Sequence, residues 1–487
     1  MSSAAIERHA IRTAVSLGAA GALAGSLTFL LIRLLGDIHG KPWQEDEAVA
    51  GLISARPLGD LLHTVLLDRG GAPLHFLLVH AAFAIGGSAQ TVRWLSLAFA
   101  LATVPLCYDL ARRLGGPFAG MTAAALAATS QLLTIYGTFG RMYSLFAFAS
   151  TLALDLFVRA VEEPRRGTLI AATVAALLPL AVHPFGLFLF VAELAVAVWL
   201  WRLRALGVGL LAVPLVLPAL RLSGRYDPDV GMPAPETALR ALGGSAGGYG
   251  VSLVVFALLA AVGAWTLPRA FSALGCLAIV GPPAVLVTAG AAGITSDRLA
   301  PRHLVFVLPV WIAFVATGIA RMPARLAIAV AAVTVSAFAP SAVADPRTIA
   351  SGEAAAIAGP AAWLRTHIEQ GDVLYPYSPV FLAALPQAGV GRAFPREPVS
   401  LERAVRRTRT VHDVLVALPL RTPLPTAARR RLATAGIRAH AFRSWLILET
   451  RGPFTRVPKL LGRAASILRG SSAYSSVLQL RGAACRC

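Results

Sequence analysis

Trp43-Gln44-Glu45-Asp46-Glu47 follows the first long apolar segment, and its reading decides what kind of protein this is. Three carboxylates stand side by side in a 487-residue chain that has only 24 acidic residues. Around them the chain is 56% hydrophobic and 14% charged, with a mean hydropathy of +0.68. Soluble domains are about one quarter charged. Apolar runs near the bilayer-spanning length of about 20 residues recur through the first two thirds. These features predict a polytopic α-helical membrane protein, with the acidic stretch in its first exposed loop.

The net charge is +20. In a soluble protein that would point to nucleic acid. Here arginine collects at the ends of apolar runs, as it does at cytoplasmic helix ends near anionic head groups, so no nucleic-acid partner is expected. Cys107 and Cys276 lie in apolar segments as packing residues, and no metal-ligand set surrounds Cys485 and Cys487.

Arg8 and Arg12 precede the first span, at 11–35, and predict a cytoplasmic N-terminus. The acidic loop, about 36–89, then faces outward. Residues 47–67 are amphipathic and broken at Pro57, as suits helices lying in the membrane interface. The apolar run 72–85 is short for a span and is read as interfacial or half-inserted. With that choice there are about eleven spans. Further spans are expected at 92–111, 118–136, 142–160, 169–182, 185–201, 205–220, 251–267, 271–291, 304–320 and 326–343. Arg112, Arg113, Arg165, Arg166, Arg202, Arg204, Arg269, Arg321 and Arg325 then share the side of Arg8. Asp46, Arg141, His183 and Arg302 all face the opposite side.

Residues 1–345 are thus expected to form the transmembrane domain. Residues 346–453 change to a soluble α/β composition and are expected to form an extracytoplasmic domain, followed by a basic, Ser-rich tail at 454–487. Strands are predicted at 372–375, 411–418, 437–441 and 445–450, with helices at 353–370 and 427–435. Asp372, Tyr375, Tyr377 and His412 in this domain form no recognisable constellation.

Several residues carry potential chemistry. Glu45, Asp46 and Glu47 fit a solvated helix cap, a general base, or a divalent-cation site. Arg141, at the outer start of a span, fits either a snorkelling anchor or an anion clamp. His183-Pro184 forms a tight outer hairpin between two short spans, and fits a structural or a site role. Arg302-His303, after Pro301 and near Asp297 and Arg298, fits an interfacial anchor or a lipid-phosphate contact.

Asp46-Glu47 and the following Gly71-Ala72-Pro73-Leu74-His75-Phe76 resemble the first outer loop of polyprenyl-phosphate-dependent membrane glycosyltransferases of the C superfamily. This is the group of protein mannosyltransferases and aminoarabinose transferases. Val92-Arg93-Trp94-Leu95-Ser96-Leu97, Tyr108-Asp109-Leu110-Ala111-Arg112-Arg113, Gly140-Arg141-Met142-Tyr143-Ser144-Leu145, His183-Pro184-Phe185-Gly186 and Pro301-Arg302-His303-Leu304 are similar to later stretches of that group. The resemblance covers about 11–343. Ala72-Pro73 departs from the usual Pro-Pro pair, and His303 stands where a tyrosine is usual.

The resemblance implies transfer of a sugar, mannose or another hexose, from a polyprenyl phosphate to an acceptor hydroxyl on a lipid, glycan or protein, at the outer face of the cell membrane. Asp46 would be the base. Glu47, His75, Arg141, Tyr143, His183, Arg302 and His303 would bind substrate, the arginines at the lipid phosphate. The resemblance assigns no cofactor, and a divalent cation at Glu45, Asp46 and Glu47 stays open as one reading of the acidic cluster. Two rival classes remain: a secondary transporter of an anion, and a membrane anchor acting through its C-terminal domain.

Overall fold

The computed structural model describes residues 3–40, 43–68, 71–202, 206–223, 235–246, 248, 250–293, 300–343, 352–369, 372–375, 378–384, 413–420, 422–451 and 457–469. Asp297, Arg298, Tyr377 and His412 lie outside them, as does the Glu45 side chain.

The chain begins with α1 (Ser3–Gly40), α2 (Glu45–Ser54), α3 (Leu58–Asp68), α4 (Leu74–Ala84), α5 (Ala89–Gly115), α6 (Pro117–Thr129), α7 (Gln131–Tyr136), α8 (Tyr143–Glu162), α9 (Arg166–Val182) and α10 (Gly186–Trp201). It continues with α11 (Leu206–Ser223), α12 (Pro235–Ala246), α13 (Val251–Thr266), α14 (Arg269–Ala291), a 3-10 helix at Pro301–Val307, α15 (Leu308–Ala320) and α16 (Ala324–Val343). Then come α17 (Gly352–His367), β1 (Val373–Tyr375), α18 (Pro379–Ala384) and β2 (Val414–Pro419). The helix Thr426–Thr434, β3 (Arg438–Ala441), β4 (Trp445–Thr450) and the helix Val457–Arg469 complete the described chain.

Two compact units emerge. The first holds Met1–Ile38, Val65–His75 and Arg93–Pro346; the second holds His39–Thr64, Phe76–Val92 and Arg347–Cys487. The second unit therefore takes in much of the first outer loop as well as the C-terminal region.

In the first unit, Ser16–Ile38, α8, α14 and Pro301–Ala320 are long and apolar enough to cross a membrane, as is Ala89–Gly115, most of which belongs to this unit. Each reaches about 30 Å or more at 1.5 Å per residue. α6, α9, α10, α13 and part of α16 are apolar but shorter. The single span expected at 118–136 is instead two helices. Ser130 breaks it with extended backbone (φ −63°, ψ 128°), and Thr129 and Thr134 turn their hydroxyls onto the Ala125 and Ser130 carbonyls. Such local hydroxyl bonds compete with the helix ladder.

The far ends of α5 and α8 are joined by charge. Arg113 Nε lies 2.9 Å from Asp109 Oδ2, and Arg113 Nη1 2.9 Å from Glu162 Oε2. Arg159 Nη2 bridges Asp109 at 2.7 Å and the buried Asp155 at 2.8 Å. Arg113, one of the arginines expected at the inner face, thus also ties two helices together.

In the second unit a four-stranded sheet has the order β1-β2-β4-β3. β1 and β2 are parallel, with Val373 opposite Val414, and β4 is antiparallel to both β2 and β3. Leu446 and Leu448 of β4 share a core with Val414, Val416 and Leu418. Leu461, Ala464, Ala465 and Leu468 of the helix Val457–Arg469 fill the same core. That helix falls in the stretch where the sequence suggested a basic tail. Its apolar residues recur at spacings of three and four, a pattern that the flanking arginines and serines obscure.

Candidate active site

The turn between α7 and α8 presents Arg141. Ser96 Oγ donates to the Phe139 carbonyl at 2.8 Å, and the Arg141 N–H donates to the same carbonyl at 2.6 Å. The rings of Tyr136, Phe139 and Tyr143 pack around it, Tyr136 and Tyr143 with centroids 4.7 Å apart. His75, 2% exposed, closes the turn from α4. Its ring hydrogen-bonds to the Gly140 backbone. Burial, with the Arg141 charge beside it, pulls its pKa down to about 3. His75 is therefore buried and bonded to the backbone of the turn that carries Arg141.

The hairpin between α9 and α10 presents His183. A Cβ on Gly186 would fall 2.4 Å from the Pro179 carbonyl, so only glycine lets the two helices close this tightly. The Phe185 N–H donates to His183 Nδ1 at 3.1 Å, which leaves the proton of the neutral ring on Nε2 as a donor. His183 packs on Phe146, with centroids 5.0 Å apart, and lies 6.2 Å from Tyr143.

The 3-10 helix presents Arg302 and His303. The Ala300 N–H donates to His303 Nδ1 at 3.4 Å. The His303 ring lies 4.9 Å from Phe185 and 5.9 Å from His183. Three separate stretches of sequence thus meet around one histidine.

Electrostatics agree with this geometry. Burial is the main force that pushes the His183 pKa well below the usual imidazole range, and the charges of His303, Arg141 and Arg302 add to it. Both guanidiniums therefore act on the same neutral imidazole. Arg302 Nε is buried and has no hydrogen-bond partner among the described residues. Two arginine charges acting on an uncharged donor within an aromatic cluster give a field that favours an oxyanion. His75, Arg141, Tyr143, His183, Arg302 and His303 all belong to the first unit.

Asp46 and Glu47 belong to the second unit. Both stand in the first turn of α2, where the helix dipole favours carboxylates. Glu47 is 2% exposed, and its Oε2 accepts the Gln44 N–H at 3.0 Å. It caps its own helix, a duty that competes with direct substrate contact. Asp46 is only partly buried. α2 packs on α18: a Cβ on Gly51 would lie 2.2 Å from Leu382 Cδ1, so the acidic helix is seated directly on a helix of the C-terminal region. Among the described residues no three His, Cys, Asp or Glu side chains converge as a metal ion requires.

Phe139, Phe146 and Phe185 were not marked as site residues in the sequence. Aromatic residues are abundant in apolar spans, so nothing local distinguishes these three. Only the ring contacts with His183, Tyr143 and His303 do.

No family model matches the chain, and no curated protein does. Solved structures do. ArnT from Cupriavidus metallidurans in the apo state aligns with a TM-score of 0.52 and 14% identity, over 88% of this chain and 98% of that one. The structure of ArnT from the same organism bound to undecaprenyl phosphate aligns with a TM-score of 0.54 and 14% identity, over 89% and 98%. Across most of its length, this multi-pass helical chain has the fold of ArnT.

Proposed function

We propose that this protein is a membrane glycosyltransferase that takes its sugar, a hexose such as mannose, from a polyprenyl phosphate. The acceptor hydroxyl belongs to a lipid, glycan or protein at the extracytoplasmic face of the cell membrane, with the N-terminus on the cytoplasmic side. The observation that carries the proposal is the ring packing that brings Tyr143, His183 and His303, the neighbours of Arg141 and Arg302, into one cluster. The shared fold with a protein that has been seen with undecaprenyl phosphate supports it.

In the step we envisage, the acceptor oxygen forms a bond to the anomeric carbon while the carbon–oxygen bond to the phosphate breaks. The bonding pair leaves with the phosphate. Arg141 and Arg302 stabilise the charge that develops on it, and the His183 Nε2 proton offers a further donor. Asp46 takes the acceptor proton as general base. Tyr143 and His303 wall the donor site, and His75 and Glu47 position Arg141 and Asp46.

The test is donor binding and transfer by purified protein with a polyprenyl-phosphate-linked sugar. Arg302→Ala is expected to weaken donor binding at least tenfold, in line with losing a charge-assisted contact of about 1.5–3 kcal/mol. Undiminished donor binding in both Arg302→Ala and Arg141→Ala would contradict the assignment. Anion uptake into proteoliposomes without any sugar transfer would favour a transporter instead.

A further inference from the structure

The second unit carries a groove of about 540 Å³ between the helix Thr426–Thr434 and the helix Val457–Arg469. Arg431 lines one wall, Lys459, Arg463 and Ser466 line the other, and Ala435 and Ile467 complete the lining. Leu432 and Leu461 anchor the two helices in the same sheet core, which fixes the walls. Lys459, Arg463 and Ser466 recur at spacings of four and three, so they form one stripe of their helix. Leu461, Ala464, Ala465 and Leu468 turn the opposite side into the core. The stripe is left in solvent, and Arg431, Lys459 and Arg463 are all exposed.

The charge of this groove is uncompensated. From Val414 to Cys487 the sequence holds thirteen arginines and lysines and one carboxylate side chain, Glu449. Glu449 is already taken, with Arg438 at 2.8 Å on one oxygen and His440 at 2.8 Å on the other. Among the described residues no carboxylate pairs with Arg431, Lys459 or Arg463. Lys459 and Arg463, one helical turn apart, repel each other. A surface kept only for solubility intersperses both signs. A concave wall of like charges is instead a seat prepared for an anion. The chain's own tail does not supply one, since 470–487 contain Arg481 and Arg486 and no carboxylate side chain.

We propose that the groove binds a phosphate ester, with Arg431, Lys459 and Arg463 on its oxygens and the Ser466 hydroxyl as a further donor. A phosphate presents its oxygens in tetrahedral directions, which suits donors that arrive from two walls. A planar carboxylate is satisfied by a single guanidinium fork. Ala435 and Ile467 offer apolar surface to the glycerol or sugar carbons that bear the ester. A phospholipid head group and a soluble sugar or glycerol phosphate both present this chemistry. The site belongs to the second unit, whereas Arg141 and Arg302 belong to the first, and it stands whether or not the transferase assignment does.

The test is hydrogen exchange of the full-length protein, read in peptides covering 426–434 and 457–469. In non-ionic detergent, glycerol 3-phosphate is expected to slow exchange in both peptides, about tenfold at ten times its Kd. Glucuronate, a carboxylate of similar size, is expected to leave both unchanged. Arg463→Glu, an exposed replacement, is expected to abolish the slowing while β2 and β4 keep wild-type protection. A second arm compares nanodiscs of phosphatidylcholine, whose choline cancels the phosphate charge, with discs that also hold phosphatidic acid. Slowing by phosphatidic acid assigns the phosphate to a lipid head group. Slowing by glycerol 3-phosphate with none by phosphatidic acid assigns it to a soluble ester. No slowing in either arm, with glycerol 3-phosphate raised to about 0.1 M where salt screening sets in, would overturn the proposal even if the glutamate variant fails to fold. So would equal slowing by glucuronate, or slowing that persists in a folded Arg463→Glu.

Discussion

His183 and His303 lie with ring centroids 5.9 Å apart, although one comes from the α9–α10 hairpin and the other from the 3-10 helix Pro301–Val307. Phe185 touches both rings, at 5.5 and 4.9 Å. The hairpin that holds this arrangement depends on Gly186, whose missing side chain admits the Pro179 carbonyl. Gly186→Ala is expected to force the hairpin open and to cost about 1–3 kcal/mol, the usual range for overpacking. The expected readout is a lower thermal midpoint together with weaker polyprenyl-phosphate binding. An unchanged midpoint and affinity would contradict the role given to the hairpin.

The buried histidines predict an acid sensitivity with a definite sign. His75 falls from 6.5 to about 3 on folding, chiefly through burial, and His183 is lowered in the same direction. Between those values the unfolded chain binds more protons than the folded one. Stability therefore rises with pH across that window and is lost as pH falls from 6.5 toward 3. The slope is about 1.4 kcal/mol per pH unit for each histidine. Thermal midpoints of the detergent-solubilised protein should fall steeply over this window, and more gently in His75→Gln.

Arg141 and Arg302 are assigned to phosphate because of their fork geometry as well as their charge. Arg141→Lys keeps the charge and loses the bidentate fork. Donor binding is expected to weaken about tenfold, with a rise in KM appearing before any loss of kcat. An Arg141→Lys protein with unchanged KM would show that charge alone suffices there.

The C-terminal region is tied to the acidic helix through Gly51 and Leu382. Gly51→Leu would drive a branched side chain into Leu382 and is expected to displace α2, lowering transfer at least tenfold while donor binding holds. Leu461 lies wholly buried in the sheet core. Leu461→Ala is expected to destabilise the second unit by about 2–5 kcal/mol. Hydrogen exchange across β2 and β4 measures that loss locally.

Much of the first unit was legible in the sequence because apolar runs and arginine-marked ends are written locally. The starts of α8 at Tyr143 and α10 at Gly186 follow from the turns before them. Ser130 was read through, since one hydroxyl residue inside an apolar run leaves the average hydropathy high. The grouping of Arg141, His183 and Arg302 was legible only as a shared side of the membrane. Their approach depends on ring packing between distant stretches, which no local pattern records. The capping contact of Glu47 is one of the readings that the acidic cluster offers in the sequence, whereas the backbone contact of His75 has no local signal. A carboxylate or imidazole near a candidate base looks alike in sequence whether it meets substrate or backbone.

The central claim is that Asp46 removes the acceptor proton. The most direct measurement is sugar transfer by folded, purified Asp46→Asn from a polyprenyl-phosphate-linked donor, with donor binding measured on the same preparation. The account predicts a kcat lower by about 10²–10⁴, the usual contribution of a general base, with donor affinity unchanged. Transfer within about twofold of wild type, far short of that loss, would contradict it.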